Sequence, residues 1–236
     1  MRSEKVLTDI NSINSFHSVL STLNKLNTSL PADTLDQFTV FNRAYQIITA
    51  DIMESAESGY FNSPVFIETF TACFARYYFR AVKATTEKSD DTPEAWAILD
   101  NAKQNENTPQ FIFLLMGANA HINADLPLAL RESMGKKKTE ELLGDVLKVD
   151  KILMKSGKQL LREFSEQSTF IDAIKRHFIF LYYRPVMYMI LLWRIRAWRN
   201  YHLIKRSPGR AENYTKHSVR TARRLLLLSS YINKAI

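Results

Sequence analysis

Phe111-Ile-Phe-Leu-Leu-Met116-Gly-Ala-Asn-Ala-His121-Ile-Asn-Ala-Asp125-Leu-Pro127 decides how the 236-residue chain folds. Phe111, Leu114, Leu115, Ala118, Ile122 and Leu126 recur at i, i+3, i+4 and i+7, which is one face of a helix. Phe113, Met116 and Ala120 lie off that stripe and are apolar too, so the helix is expected to be buried nearly all round. Thr108-Pro109 opens it, and Pro127 breaks or kinks it. A helix apolar on every side needs other helices on every side. The expected fold is therefore all-α: a single domain over residues 1–236, a bundle of about nine helices around a central apolar helix at about 110–126.

The remainder of the chain agrees. Period 3.6 is common, and period-2 alternation bounded by turn dipeptides is absent. A first helix is expected from Val6 to Ser29, with Ile10, Ile13, Phe16, Leu20 and Leu23 on one face. After the break at Pro31-Ala-Asp33, Phe38, Phe41, Tyr45, Ile48 and Ile52 mark a second. Ser63-Pro64 opens a third, to about Ala84, and Thr92-Pro93-Glu94 a short one through Trp96. A long amphipathic helix runs from Thr139 to about Phe164. Two buried segments are expected to meet at Pro185, and a last helix covers about 212–233. Only 6 Gly and 7 Pro argue against a β-sandwich or a glycine-rich nucleotide fold. The single cysteine, Cys73, excludes a disulfide framework and a multi-cysteine zinc site.

Charge is distributed unevenly. The chain carries 32 Lys and Arg against 24 Asp and Glu, net +8. From Lys175 onward there are fourteen basic residues and one acid, Glu212, so residues 175–236 carry +13 and residues 1–174 carry −5. These basic C-terminal helices can dock against the acidic remainder, or face anionic lipid or an acidic partner. Nucleic acid is not expected, since basic charge alone is a weak footprint for it. The N-terminus lacks the apolar core of a signal peptide, and Phe178–Trp193 is too short and is interrupted by Arg184-Pro185, so a cytoplasmic protein is expected, with a place at the membrane periphery as the minor reading.

The central helix also carries the chemistry. His121 and Asp125 are four residues apart and so neighbours on one face, with Asn119 and Asn123 one strip away. Each buried polar group left without a partner costs about 1–3 kcal/mol, so four of them on a core helix imply partners inside the protein. A carboxylate beside a histidine fixes the imidazole tautomer and raises its basicity.

Several strings resemble one bacterial helical family, the domain-of-unknown-function family numbered 5995. Met116-Gly-Ala-Asn-Ala-His-Ile-Asn-Ala-Asp-Leu126 is similar to its main signature, and Phe41-Asn-Arg-Ala-Tyr45-Gln-Ile-Ile-Thr49 to its N-terminal motif. Phe61, Phe74-Ala-Arg-Tyr77, Ala81 and Trp96 resemble its next block, Asp145 to Leu153 a later Asp-containing helix, and Arg196-Ala-Trp198-Arg-Asn its C-terminal motif. The resemblance covers about 40–235 and departs at Asp150, where the family's pattern has Asn. It implies an all-α fold and no established activity.

The site reading is therefore built from residues. His121 is expected as acid–base group or ligand, oriented by Asp125, with Asn119 and Asn123 positioning substrate or water. Tyr45, Tyr77, Arg76 and Trp96 are further substrate-binding candidates. Such a pocket would bind a small, largely apolar or amphipathic molecule and has the groups to transform it, which leans toward an enzyme of unspecified reaction class. A divalent metal is the less favoured reading. It would need His121, Asp125 and Asp51, with Glu54, Glu68 or Asp145 in support. The alternative is a non-catalytic interaction protein that meets anionic lipid or an acidic partner through its basic C-terminal helices.

Overall fold

The structure is a computed structural model describing residues 7–29, 36–104, 108–135, 139–165 and 169–235. Its helices are α1 (Phe16–Ser29), α2 (Asp36–Glu57), α3 (Pro64–Thr86), α4 (Glu94–Ala102), α5 (Gln110–Asn119), a π-helical segment (Ala120–Asp125), α6 (Leu126–Met134), α7 (Thr139–Ser165), α8 (Thr169–Arg206) and α9 (Ala211–Ala235), with 3-10 turns at Ile10–Ser12 and Pro208–Arg210. The fold is all-α, with no strand among the described residues.

The apolar run lies at the centre. α5, the π segment and α6 form one continuous helix, 110–134, with α2 against α5, α3 against α6, α8 against the π segment and α6, and α9 against α5 and the π segment. Ile112 and Met116 are fully buried together with Phe38, Tyr78 and Trp96 from the surrounding helices. Of the two outcomes the sequence left open at Pro127, a break or a kink, the break does not occur. The proline sits in the first turn of α6, where its missing N–H is tolerated, and the π segment precedes it.

Two other boundaries differ. The first helix begins at Phe16 rather than near Val6, because Ser15 and Ser18 cap it reciprocally: each backbone N–H donates to the other's hydroxyl, at 3.0 and 3.2 Å. Leu7, Ile10 and Ile13 are buried all the same. α8 continues through Pro185 instead of splitting there. Arg184 and Pro185 are both exposed. The expected break at Pro31-Ala-Asp33 lies outside the described residues. Among those described, no helix is long and apolar enough to cross a membrane.

Candidate functional site

Local sequence explains why the polar residues cluster where they do. In the π segment the Leu126 N–H donates to the His121 carbonyl, five residues back. Pro127 follows immediately, and its ring would clash with the carbonyl four residues earlier in a regular helix. The wider turn relieves that conflict. Single π turns of this kind recur at functional sites because they re-aim side chains without breaking the helix.

His121 and Asp125 are 3% and 4% exposed. His121 Nδ1 lies 3.0 Å from Asp125 Oδ2, and the Trp96 indole N–H donates to the same oxygen at 3.2 Å. An indole can only donate, so Oδ2 accepts from Trp96; with Asp125 ionised, Oδ2 accepts from His121 as well and Nδ1 is the protonated ring nitrogen. Burial pushes His121 below the usual histidine value, against the pull of Asp125, and the Arg194 charge adds to the lowering. Burial likewise pushes the Asp125 carboxyl up, against the bonds from His121 and Trp96. The ring is held as a neutral imidazole whose Nε2 lone pair is free. That atom meets no hydrogen-bond partner among the described residues.

Aromatic rings fix the imidazole plane. Phe74 stacks on it, centroids 3.5 Å apart at 5°, while Phe41, Tyr45 and Tyr78 present edges at 5.6, 4.8 and 6.0 Å. Phe41 comes this close because Gly117, one turn before His121, has no side chain: a Cβ there would sit 2.6 Å from the Phe41 ring.

Beside this cluster is a cavity of about 120 Å³. Five elements wall it: Phe41, Ala44, Tyr45 and Ile48 of α2, Phe70, Thr71 and Phe74 of α3, Leu114, Leu115, Ala118 and His121 of the central helix, Val149, Leu153 and Leu160 of α7, and Val186, Met187, Ile190 and Arg194 of α8. Ile48, Leu153, Val186 and Ile190 are only half-buried, so this side reaches the surface. Tyr45 is buried, and its hydroxyl, like His121 Nε2, has no partner among the described residues. Burial holds that hydroxyl well above the usual tyrosine value, and Asp125 adds to the effect. It is protonated and able to donate.

The other candidates separate. Asn119 and Asn123 do not line the cavity. Asn119 donates to the Ser218 carbonyl of α9 at 2.8 Å, and Asn123 to Asn119 Oδ1 at 3.0 Å, so the pair stitches the central helix to α9. Trp96 is fully buried behind the imidazole, where it holds Asp125. Arg76 and Tyr77 meet Glu132 at 3.0 and 3.1 Å, away from His121. The carboxylates considered for a metal have other work. Asp51 accepts from Ser156. Asp145 accepts the Asn62 and Ser63 N–H groups at 2.9 and 2.7 Å, capping α3. Glu68 accepts the Phe16 N–H at 3.1 Å, capping α1, and Glu54 is exposed. Among the described residues no three His, Cys, Asp or Glu side chains group as a metal would require. Cys73 is buried against the Ala129 carbonyl, and burial pushes its thiol up to about 12, so it is no nucleophile.

Two residues emerge only in three dimensions. Arg194 lines the cavity while its Nε donates to Asp150. Asn42 is fully buried, donating to the Leu23 carbonyl and Asn27 and accepting from the Tyr78 hydroxyl at 3.1 Å. Its place in the string Phe41-Asn-Arg-Ala-Tyr45, polar at a core-facing spacing, was the available signal.

The model of one protein family, the family of unknown function DUF5995, matches residues 16–233, so the chain belongs to that family and the family's extent includes α1. No curated protein and no solved structure is similar enough to match.

Proposed function

We propose that this member of the family binds a small, largely apolar molecule in the cavity and acts on its polar end through His121. The observation that carries the reading is the imidazole itself. Nδ1 is committed to Asp125, Nε2 is unpartnered, and the ring forms part of an apolar cavity wall. A carboxylate-held neutral histidine with a free Nε2 is the arrangement a general base needs. The volume supports it: an engineered apolar cavity of about 150 Å³ admits benzene. Asp125 orients the base, Trp96 orients Asp125, and the rings of Phe41 and Phe74 exclude water. The test is titration with a small hydrocarbon, toluene, followed by thermal melting and by amide shifts around Ala118. Wild type should be stabilised and the cavity-filling variant Ala118→Leu should not. Absence of any effect on wild type from either toluene or its hydroxyl-bearing counterpart phenol would remove the reading.

A second reading has its own supporting observation, the outer face of α8. Tyr188, Leu192 and Ile195 are 65%, 62% and 66% exposed there. At about 100° per residue they share an arc of about 80° with the exposed Arg184, Arg199 and Arg206. Apolar side chains flanked by arginines suit the interface of an anionic lipid layer. This surface is distinct from the cavity, and the two readings are compatible.

A further inference from the structure

Two residues of the cavity wall carry buried polar atoms that meet no partner among the described residues, and their needs are opposite. With Asp125 ionised, Nδ1 holds the ring's proton toward the carboxylate and His121 Nε2 is a lone pair seeking a donor. The Tyr45 hydroxyl is a donor seeking an acceptor. Both residues are more than nine-tenths buried, both line the cavity, and their rings meet edge-on at 4.8 Å. Resting on the proposed binding reading, we infer that the ligand carries a neutral hydroxyl, which donates to His121 Nε2 and accepts from Tyr45, with the apolar body of the molecule against Phe74, Leu115 and Ile190.

Other polar ends fit less well. A carboxylate or a carbonyl oxygen has no proton for Nε2, and Arg194, the cation of the cavity wall, is already paired with Asp150. An ammonium would donate to Nε2 but would lie in a cavity that the Arg194 guanidinium also lines, with its own charge buried and unpaired. An ether accepts from Tyr45 and leaves Nε2 unmet. A hydroxyl is at once donor and acceptor and carries no charge. Its proton, once shared with Nε2, is the one a base at this position could remove.

The experiment compares isosteric probes on the full chain: phenol against toluene, and cyclohexanol against methylcyclohexane. The hydrocarbon of each pair is the more apolar, so an indifferent apolar cavity prefers it. The expected result is the reverse, with each hydroxyl compound binding about tenfold tighter than its hydrocarbon partner. Tyr45→Phe removes only an unpartnered oxygen and should fold. It should lower phenol affinity about tenfold and leave toluene affinity unchanged. Hydrocarbons binding as tightly as the hydroxyl compounds, or an unchanged phenol affinity in Tyr45→Phe, would overturn the hydroxyl assignment and leave the cavity reading standing. Failure of all four probes to bind would overturn both.

Discussion

At the residue scale the tautomer of His121 is the decisive quantity, and Asp125 controls it. Asp125→Asn offers an amide of nearly the same shape, but its N–H₂ group, turned toward Nδ1, favours the tautomer protonated at Nε2. His121 and Trp96 both bond Oδ2, so an amide turned this way leaves the Trp96 N–H without its acceptor. The expected outcome is a loss of stability of about 1–3 kcal/mol from the one stranded donor, together with loss of hydroxyl-ligand binding. Nitrogen-15 shifts of the imidazole would check the tautomer directly. Asp125→Ala is different in kind. It strands both His121 Nδ1 and Trp96 Nε1 in the core and should cost about 2–4 kcal/mol in chemical denaturation.

The same pair sets a pH dependence. An ordinary histidine titrates near 6.5, and burial holds folded His121 below that. Just below 6.5 the unfolded chain binds a proton that the folded chain does not. The contribution is therefore fully present above 6.5 and lost as pH falls toward the folded value. Asp125 works in the opposite sense, because its raised carboxyl takes up a proton at a pH above the 3.8 at which an unfolded one does. Melting temperature should fall on acidification from about pH 7.5 to about 6, and more steeply in wild type than in His121→Gln. Equal slopes in the two proteins would contradict a buried neutral imidazole.

At the element scale, the central helix depends on Gly117. Gly117→Ala brings a Cβ within 2.6 Å of Phe41 Cγ and 2.8 Å of its Cβ. The atoms it meets are at the base of the side chain, so Phe41 cannot yield without moving α2. The gain in helix propensity, about 1 kcal/mol, is smaller than the overpacking cost of about 1–3 kcal/mol. A net destabilisation is expected, with weaker ligand binding because Phe41 also abuts His121. Gly157 is the control: its added Cβ meets only the flexible end of Met187, at 2.9 Å from Cε. Gly157→Ala should be close to neutral in the same denaturation experiment. The α3 N-terminus offers a third case. The Ser63 side chain makes no cap; Asp145, fully buried on α7, accepts the two N–H groups instead. Asp145→Ala leaves both unsatisfied, and a loss of about 2–4 kcal/mol in urea unfolding is expected.

At the scale of the whole molecule, the basic C-terminal region divides its charge. Arg194 and Arg223 pair with Asp150 and Glu94 of the acidic remainder, so part of the asymmetry is internal docking. Arg184, Arg199 and Arg206 stay exposed beside the apolar face of α8. Each cation near an anionic surface is worth about 1 kcal/mol, screened within a Debye length. Phosphatidylserine vesicles should retain the protein at low salt and release it as salt rises, and the double change Leu192→Ser, Ile195→Ser should weaken retention. Equal binding to phosphatidylcholine vesicles, or none to either, would dismiss the lipid reading.

Helices, their order and the central position of 110–126 were legible in the chain because their signals are local: a 3.6-residue period, Ser-Pro and Thr-Pro openings, an apolar run with no polar face. The pairing of His121 with Asp125 was legible for the same reason, four residues being one turn. What required the tertiary structure was every contact between distant segments. Asn119 and Asn123 read like site residues until α9 supplied the Ser218 carbonyl. Asp51, Glu68 and Asp145 read like ligands until α7 gave Asp51 a serine and the N-termini of α1 and α3 gave Glu68 and Asp145 their N–H groups. The cavity could not be read at all, since its walls come from α2, α3, α7 and α8 as well as the central helix. A helix period states that a face is buried. It carries no record of which side chains come to face it, or of where packing leaves a space, because those depend on volumes summed over residues far apart in the chain.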